Sequence, residues 1–126
     1  MNEQIVLVIE DEVSLRKLLC AVLDRPGRKV VAPESPEEVI AALREHAGRI
    51  ERILLDGLLW GNSWDTGFYN EILRATEGAR GSVCLVAISS EEDSNKAMKF
   101  FFGRAGIRVV IWGKPFSIRE LPSELQ

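Results

Sequence analysis

The feature that most constrains the fold is a set of apolar runs that do not alternate with polar residues. They are Ile5–Ile9, Ile53–Leu55, Val83–Ile88 and Ile107–Trp112, with a weaker fifth at Lys29–Ala32. A strand with one face in water alternates apolar and polar residues, whereas continuous Val, Ile and Leu runs are typical of parallel strands covered on both faces. The sequence therefore predicts a parallel sheet lying between two layers of helices.

Helical patterns separate these runs. An apolar stripe over residues 13–23 ends before Pro26, and Ser35-Pro36 begins a second helix with a serine cap and a proline at its first position. Gly48 marks the end of that helix. Further helical patterns cover residues 67–76 and 91–104, and a short last one starts at Ser117 and is interrupted by Pro122. Strands alternating with helices predict one open, doubly wound α/β domain with a five-stranded parallel sheet.

The composition excludes several function classes. A chain of 126 residues, 46% of them hydrophobic, is long enough for one domain with a full core. Its net charge of −3 offers no broad basic field, so we expect no direct nucleic acid binding. The apolar runs are too short for a membrane span or a signal sequence, so we expect a cytoplasmic protein without membrane contact. Cys20 and Cys84 are expected to be buried free thiols, and His46 a surface residue.

Polar residues stand where the predicted strands end. Glu10-Asp11-Glu12 follows the first strand, Asp56 the third, Ser89-Ser90 the fourth and Lys114-Pro115 the fifth. Because ligands of open α/β sheets bind at the carboxyl ends of the strands, we expect these groups to converge. Clustered carboxylates suit Mg²⁺, a lysine adds a compact positive charge, and an exposed aspartate can attack phosphorus. Phosphoryl transfer needs chiefly such positioning and charge neutralisation.

At these positions the sequence resembles the receiver domains of two-component response regulators. The segments that match are IVLVIEDEVSLRKLL, ILLDGLL, LVAISS and WGKPF, in the order of that family. The resemblance implies a flavodoxin-like (βα)5 fold with strand order 2-1-3-4-5, and one receiver domain over residues 1–126. It leaves open whether the receiver acts alone or belongs to a longer protein.

The same resemblance assigns roles to residues. It implies that Asp56 is the phosphoacceptor and that Mg²⁺ is held by Glu10, Asp11, Asp56 and the backbone carbonyl of Leu58. It implies that Ser89 is the switch hydroxyl and that Lys114 binds the phosphoryl group. The Lys114-Pro115 bond matches a peptide that is usually cis in the family.

Two regions depart from the family pattern. Gly57 replaces an aliphatic residue, Trp60 replaces a proline, and the loop that follows is longer than usual and includes Trp64. We weigh two interpretations of this loop, in which the rings pack on the third helix or in which the loop regulates access or binds a partner. Ile111 stands where an aromatic switch residue is usual, with Trp112 next to it.

A partner face is predicted at the fourth helix and fifth strand. Three adjacent phenylalanines, Phe100–Phe102, span too wide an arc for one buried stripe, so at least one is expected at the surface. The resemblance implies that Phe101, Ile111 and Trp112 belong to the switch and partner face, and that a homodimer could form there.

Three functions compete. In the first, a histidine kinase or phosphotransfer protein donates a phosphoryl group to Asp56, and the modified receiver switches its binding to a downstream protein. The receiver would then catalyse its own phosphorylation and dephosphorylation without being a conventional enzyme. In the second, the chain is an interaction module that acts independently of phosphorylation. The third, a dehalogenase-like phosphatase, would need a second aspartate where Leu58 stands.

Overall fold

The sheet is the framework on which the whole chain is arranged. The computed structural model describes residues 3–60, 62–63 and 66–126, with the backbone alone at residues 58, 62, 63, 66 and 67, so Trp64 lies outside the described residues. The strands are β1 (Gln4–Ile9), β2 (Arg28–Val31), β3 (Ile50–Leu55), β4 (Leu58–Leu59), β5 (Asn62–Ser63), β6 (Cys84–Ala87) and β7 (Arg108–Ile111). The helices are α1 (Val13–Leu23), α2 (Pro36–Glu45), α3 (Thr66–Ala75) and α4 (Glu92–Arg104).

The five long strands form one parallel sheet in the order β2-β1-β3-β6-β7. Counted along these five strands, this is the predicted order 2-1-3-4-5, and the prediction is confirmed. Strand β1 lies between β2 and β3, pairs with both, and is buried from Ile5 to Ile9. Its alternate side chains enter two separate cores, because successive residues of a strand point to opposite faces. The apolar runs therefore lack alternation because both faces of the sheet are covered.

Each face has its own cover. Helices α2, α3 and α4 pack on one face, where Val39, Ile72 and Phe102 are buried with Leu7 and Leu55. Helix α1 and the C-terminal segment pack on the other face. As predicted, Ser35 caps α2, its hydroxyl accepting the Glu38 N–H at 3.2 Å. None of the described helices, of which α4 with 13 residues is the longest, has the length and apolar character to cross a membrane.

The predicted last helix is wrong. Residues 118–120 and 123–125 form two short 3₁₀ turns instead, so the described chain has four α-helices. Pro122 explains the difference, because its ring disfavours a helical conformation at Leu121, whose ψ is 124°. The turns still cover the sheet, since Leu125 is fully buried beside Leu23 and Val86.

Two predictions of exposure also fail. His46 is buried, with 4% of its surface exposed, because it ends α2 where the chain turns back toward the sheet. In α1, fewer of the apolar residues in the predicted stripe are buried than expected. Leu19 and Leu23 are buried, whereas Val13 and Leu18 are 51% and 46% exposed. Cys84 is buried as expected, Cys20 is half-buried, and both are free thiols whose pKa is raised by burial.

Candidate functional site

The candidate site lies at the carboxyl end of the sheet, where backbone hydrogen bonds continue past the strand ends. The Asp56 N–H donates to the Ile9 carbonyl at 3.2 Å, and the Lys114 N–H donates to the Ser89 carbonyl at 3.3 Å. Residues that follow three different strands are therefore held side by side. Glu10, Asp11 and Asp56 each place one carboxylate oxygen within 4.8 Å of the others.

Lys114 joins two of these carboxylates. Its ammonium nitrogen lies 3.0 Å from Oδ2 of Asp56, to which it donates a hydrogen bond, and 2.5 Å from Oε1 of Glu10. Lys114 is thus the cationic partner of the buried Oε1 of Glu10. The single positive charge of the lysine thus lies between two carboxylates that would otherwise repel each other, and it offsets one of their two charges.

Burial shifts the protonation of this cluster. It raises the pKa of Glu10, and the nearby charge of Asp56 adds to the shift, although the Lys114 ammonium and the Glu12 N–H oppose it. Burial alone would lower the pKa of Lys114, but its contacts with Glu10 and Asp56 outweigh that effect and raise it. Burial therefore disfavours the charged form of Glu10, and the ion pair with Lys114 offsets part of that effect.

Backbone donors fix the acidic pair. Oε2 of Glu10 accepts the Glu12 N–H at 3.1 Å, and Oδ2 of Asp11 accepts the Trp60 N–H at 2.7 Å. Trp60 adopts a left-handed conformation with a φ of 51°, which is uncommon for a bulky residue. Its ring nitrogen donates to the Glu34 carbonyl at 3.2 Å. Trp60 therefore links β4 to the first strand end and to the start of α2.

The Ser89 hydroxyl lies beside the residue that follows Asp56. It accepts the Glu91 N–H at 3.0 Å, which leaves its own proton for another acceptor. A Cβ atom placed on Gly57 would lie 3.2 Å from this hydroxyl oxygen and 2.7 Å from Cβ of Ser94. Position 57 therefore has no room for a side chain, which explains one departure from the family pattern.

Comparison with solved structures settles the fold. In searches against protein-family models and curated proteins, nothing matches this chain. Among solved structures, the receiver domain of sensor histidine kinase PA1611 from Pseudomonas aeruginosa PAO1, with magnesium in its active site cleft, has 22% identity and a TM-score of 0.66, over 98% of this chain and 95% of that one. A receiver domain from Clostridium thermocellum has 17% identity and a TM-score of 0.69, over 97% and 90%.

A response regulator from Burkholderia pseudomallei, solved with a phosphorylated aspartic acid, a calcium ion and citrate, is also similar. It has 19% identity and a TM-score of 0.67, and the match covers 98% of this chain and 67% of that one. This chain has the receiver-domain fold. The predicted resemblance is confirmed at the level of the fold, and the Lys114-Pro115 bond of this receiver fold is cis, as predicted.

The oxygen atoms at the rim fit a hard divalent cation. Three carboxylates meet within 4.8 Å, and Mg²⁺ is commonly bound through one or two carboxylates, waters and a phosphate. Asp11 is only half-buried, which leaves a side open to solvent. Residue 58 lies two residues after Asp56, in the short hairpin of β4 and β5, and the assignment of its carbonyl as a ligand stays a prediction.

The predicted switch and partner residues lie in different environments of the receiver fold. Ile111 is exposed at 43%, whereas Trp112 is buried and stacks on Phe116 with ring centres 3.9 Å apart. Phe101 is half-buried against Tyr69. The expected surface ring is Phe100, 67% exposed, with the Arg104 guanidinium 5.3 Å from its centre. The role of this face in switching stays a prediction.

Sequence reasoning missed two residues that support the site. Arg16 is buried in α1 and donates to the Glu10 carbonyl at 3.1 Å, so its guanidinium holds the main chain of the acidic pair. Asn95 is buried in α4 and binds the main chain of Ser89. A signal for Asn95 was present, because a polar residue occupies the helical stripe that continues with Met98 and Phe102.

Proposed function

We propose that this chain is a phosphorylatable receiver of a two-component system in the cytoplasm. A partner histidine kinase or phosphotransfer protein would donate a phosphoryl group to Asp56, and the modified chain would change its binding to a downstream protein. The observation that carries the proposal is the convergence of Glu10, Asp11 and Asp56 within 4.8 Å, with the Lys114 ammonium on two of them. Keeping such costly groups together at one edge is expected of a site that handles phosphate.

The groups that the reaction would use already lie beside Asp56. An Oδ atom of Asp56 attacks phosphorus and forms a P–O bond, while the bond from phosphorus to the donor breaks and the donor keeps its electron pair. The Lys114 ammonium already lies 3.0 Å from Asp56, so it can bind an oxygen of the transferred group. The Ser89 hydroxyl can donate its free proton to another of these oxygens.

A bound Mg²⁺ would neutralise phosphoryl oxygens and the attacking carboxylate. Glu10, Asp11 and Asp56 would hold it, together with the Leu58 carbonyl. Glu10 suits this role because its carboxylate is buried and has only Lys114 as a cationic partner among the described residues. The Glu12 and Trp60 N–H groups fix one oxygen of Glu10 and one of Asp11, which limits the reorganisation needed on binding.

A second function is an interaction module that does not depend on phosphate. The observation that favours it is the contact between the Trp60 N–H and Oδ2 of Asp11 at 2.7 Å, because it occupies one oxygen of a proposed metal ligand. The first function retains the better support, since one oxygen of Asp11 remains for a cation and Lys114 faces Asp56 directly.

Mass measurement separates the two functions. The chain is incubated with acetyl phosphate and Mg²⁺, and its intact mass is followed with time. We expect the gain of one phosphoryl group, which is absent in Asp56→Asn and after chelation of Mg²⁺. Asp24→Asn is the matched control, because Asp24 is an exposed aspartate outside the rim, after the end of α1. No gain in the unmodified chain, or a gain that survives Asp56→Asn, would overturn the proposed switch.

A further inference from the structure

The main chain of Ser89 is held on both sides by one buried side chain. The carboxamide oxygen of Asn95 accepts the Ser89 N–H at 3.0 Å, and its nitrogen donates to the Ser89 carbonyl at 2.9 Å. Asn95 is only 4% exposed. Because both of its bonds go to the same residue, Ser89 cannot shift or rotate without breaking them or moving Asn95 with it.

Asn95 belongs to the first turns of α4. Its own N–H donates to the Glu91 carbonyl at 3.1 Å, and its side chain lies on the same buried stripe as Met98 and Phe102. A displacement of Asn95 is therefore a displacement of the beginning of the helix, which packs on the sheet through that stripe. A helix behaves as a rigid element over its length, so the shift would reach its exposed face.

Two glycines show how closely this turn approaches the site. A Cβ on Gly57, next to Asp56, would lie 2.7 Å from Cβ of Ser94, and a Cβ on Gly113, next to Lys114, would lie 3.1 Å from Nδ2 of Asn95. The start of α4 is thus in contact with the neighbours of both residues. A displacement of the chain after β3 or after β7 would therefore displace the first turn of α4.

Residue 111, where an aromatic switch residue is usual, is poorly suited to transmit a change from the site to the surface in this chain. Residue 111 is an exposed isoleucine, and a β-branched side chain has few rotamers through which to report a change in the site. A cavity of about 280 Å³ is lined in part by Asn95 and Lys96 of α4 and by Ile111 of β7. This cavity gives the turn space in which to move.

We propose that Asn95 is a positioning residue that couples Ser89 to α4. A change in the phosphorylation of Asp56 would then alter the surface of α4 through the two hydrogen bonds between Asn95 and Ser89, here called the clamp, and not through residue 111. The inference rests on the proposed function, because it assumes that the phosphoryl group on Asp56 draws the Ser89 hydroxyl toward it. The main chain of Ser89 would follow its hydroxyl, and Asn95 would carry that displacement into the helix.

Hydrogen exchange measured by mass spectrometry tests the clamp in two states. Without a phosphodonor, Asn95→Ala removes both bonds to Ser89, and we expect exchange at the Ser89 amide to accelerate about tenfold. With acetyl phosphate and Mg²⁺, we expect phosphorylation to change exchange over residues 92–104 in the unmodified chain. In Asn95→Ala this response should be lost at an equal phosphorylated fraction, whereas in Ile111→Ala it should persist.

The controls separate coupling from loss of stability. Asn70→Ala, at an exposed asparagine of α3, should leave the response unchanged. A merely structural role for Asn95 would raise exchange equally in both states and preserve the difference between them. Should Asn95→Ala fail to fold, Asn95→Asp keeps the acceptor for the Ser89 N–H, loses the donor to its carbonyl, and should weaken the response.

The outcomes that overturn the proposal are distinct. A response over residues 92–104 that survives in Asn95→Ala, or that disappears in Ile111→Ala, overturns the coupling while leaving phosphorylation of Asp56 in place. The same holds if the unmodified chain gains the phosphoryl mass and α4 does not respond. If the unmodified chain gains no phosphoryl mass, the proposed function fails and the coupling fails with it.

Discussion

Gly57 contacts both Asp56, the proposed phosphoacceptor, and the first turn of α4. Its N–H donates to Oδ1 of Asp56 at 2.7 Å, so the residue that follows the carboxylate also binds it. Its Cα faces Ser94 so closely that the smallest side chain would meet Cβ of that serine at 2.7 Å and its hydroxyl oxygen at 2.9 Å. A single missing side chain at position 57 is therefore what allows α4 to approach Asp56.

Replacing Gly57 with alanine should separate these two elements. The added methyl group has no space, and overpacking of this kind costs about 1–3 kcal/mol. We expect the free energy of unfolding in urea to fall by that amount. Gly81→Ala is the matched control, because Gly81 is exposed and nothing lies within 4 Å of its Cβ position. Equal stability of the two variants would contradict the close approach of Ser94 to Gly57.

Tyr69 reports the packing of α3 on α4. Its ring lies 4.8 Å from the ring centres of both Phe101 and Phe102, and burial raises the pKa of its phenol to about 12. Because it is the only tyrosine, ultraviolet absorbance during an alkaline titration measures this group alone.

We expect the folded chain to ionise Tyr69 near pH 12 and the urea-unfolded chain near the ordinary value of 10.0. A phenol with a raised pKa in the folded state stabilises that state below pH 10, and its contribution is lost as the pH rises from 10 toward 12. Circular dichroism recorded in parallel should show that ionisation accompanies loss of structure. A midpoint near 10 in a chain that remains folded would show that the ring is exposed.

The C-terminal segment covers one face of the sheet, as the predicted helix would have done, although it forms only two 3₁₀ turns. Leu125 is fully buried in the core beneath α1, and Arg52 donates to the Glu124 carbonyl at 2.8 Å. Arg28 donates to the Leu125 carbonyl at 3.0 Å, so two strands hold the last turn by its backbone. The face of the sheet opposite α3 is thus closed by a short segment anchored through arginines.

Leu125→Ala tests whether this segment stabilises the fold. Truncating a fully buried leucine costs about 2–5 kcal/mol, so we expect a large fall in the free energy of unfolding. Leu18→Ala makes the same chemical change at a residue that is 46% exposed on α1, and it should cost less than about 0.5 kcal/mol. Similar unfolding midpoints for the two variants would mean that the last turn is not docked on the sheet.

The strands were predictable because their signal is local, whereas several other features depend on tertiary contacts. Apolar runs with turn residues around them specify where a buried strand begins and ends, and all five were predicted within a few residues. A last helix was predicted from Ser117 but does not form, because Pro122 prevents it. The hairpin of β4 and β5 and the burial of His46 depend on contacts that no short pattern records.

The candidate site was predicted in part for the same reason. Glu10, Asp56 and Lys114 could be placed together because each follows an apolar run that forms a strand, and parallel strands end at one edge. Asn95 and Arg16 were missed because each lies within a helix and reaches the site through its side chain. Polar residues on a buried helical stripe are the pattern by which such supporting groups could be found.

At the scale of the whole molecule, the site exists only when the sheet is assembled. The acidic pair follows β1, Asp56 follows β3 and Lys114 follows β7, so the groups are far apart in sequence and in contact only in the folded chain. A ligand that binds them all therefore binds the folded state and not the unfolded one. Such a ligand must stabilise the fold by an amount that grows with the logarithm of its concentration relative to the dissociation constant.

Mg²⁺ should therefore raise the free energy of unfolding of the whole domain. One site that binds only the folded state adds about 2.7 kcal/mol at a free concentration of 100 times the dissociation constant. Urea unfolding across a series of Mg²⁺ concentrations measures this rise, with Trp60 near Asp11 as a fluorescent reporter. In Asp11→Asn the rise should largely disappear, because the site loses a charged ligand.

Asp24→Asn removes the same charge at an exposed position outside the rim and should preserve the whole effect of Mg²⁺. Ca²⁺ tested in parallel should also stabilise the domain, because carboxylates arranged around a half-open space accept either ion. Stabilisation that is equal in Asp11→Asn and Asp24→Asn would come from nonspecific screening of the net charge of −3. In that case the acidic cluster would not be a cation site, and the buried charge of Glu10 would be balanced by Lys114 alone.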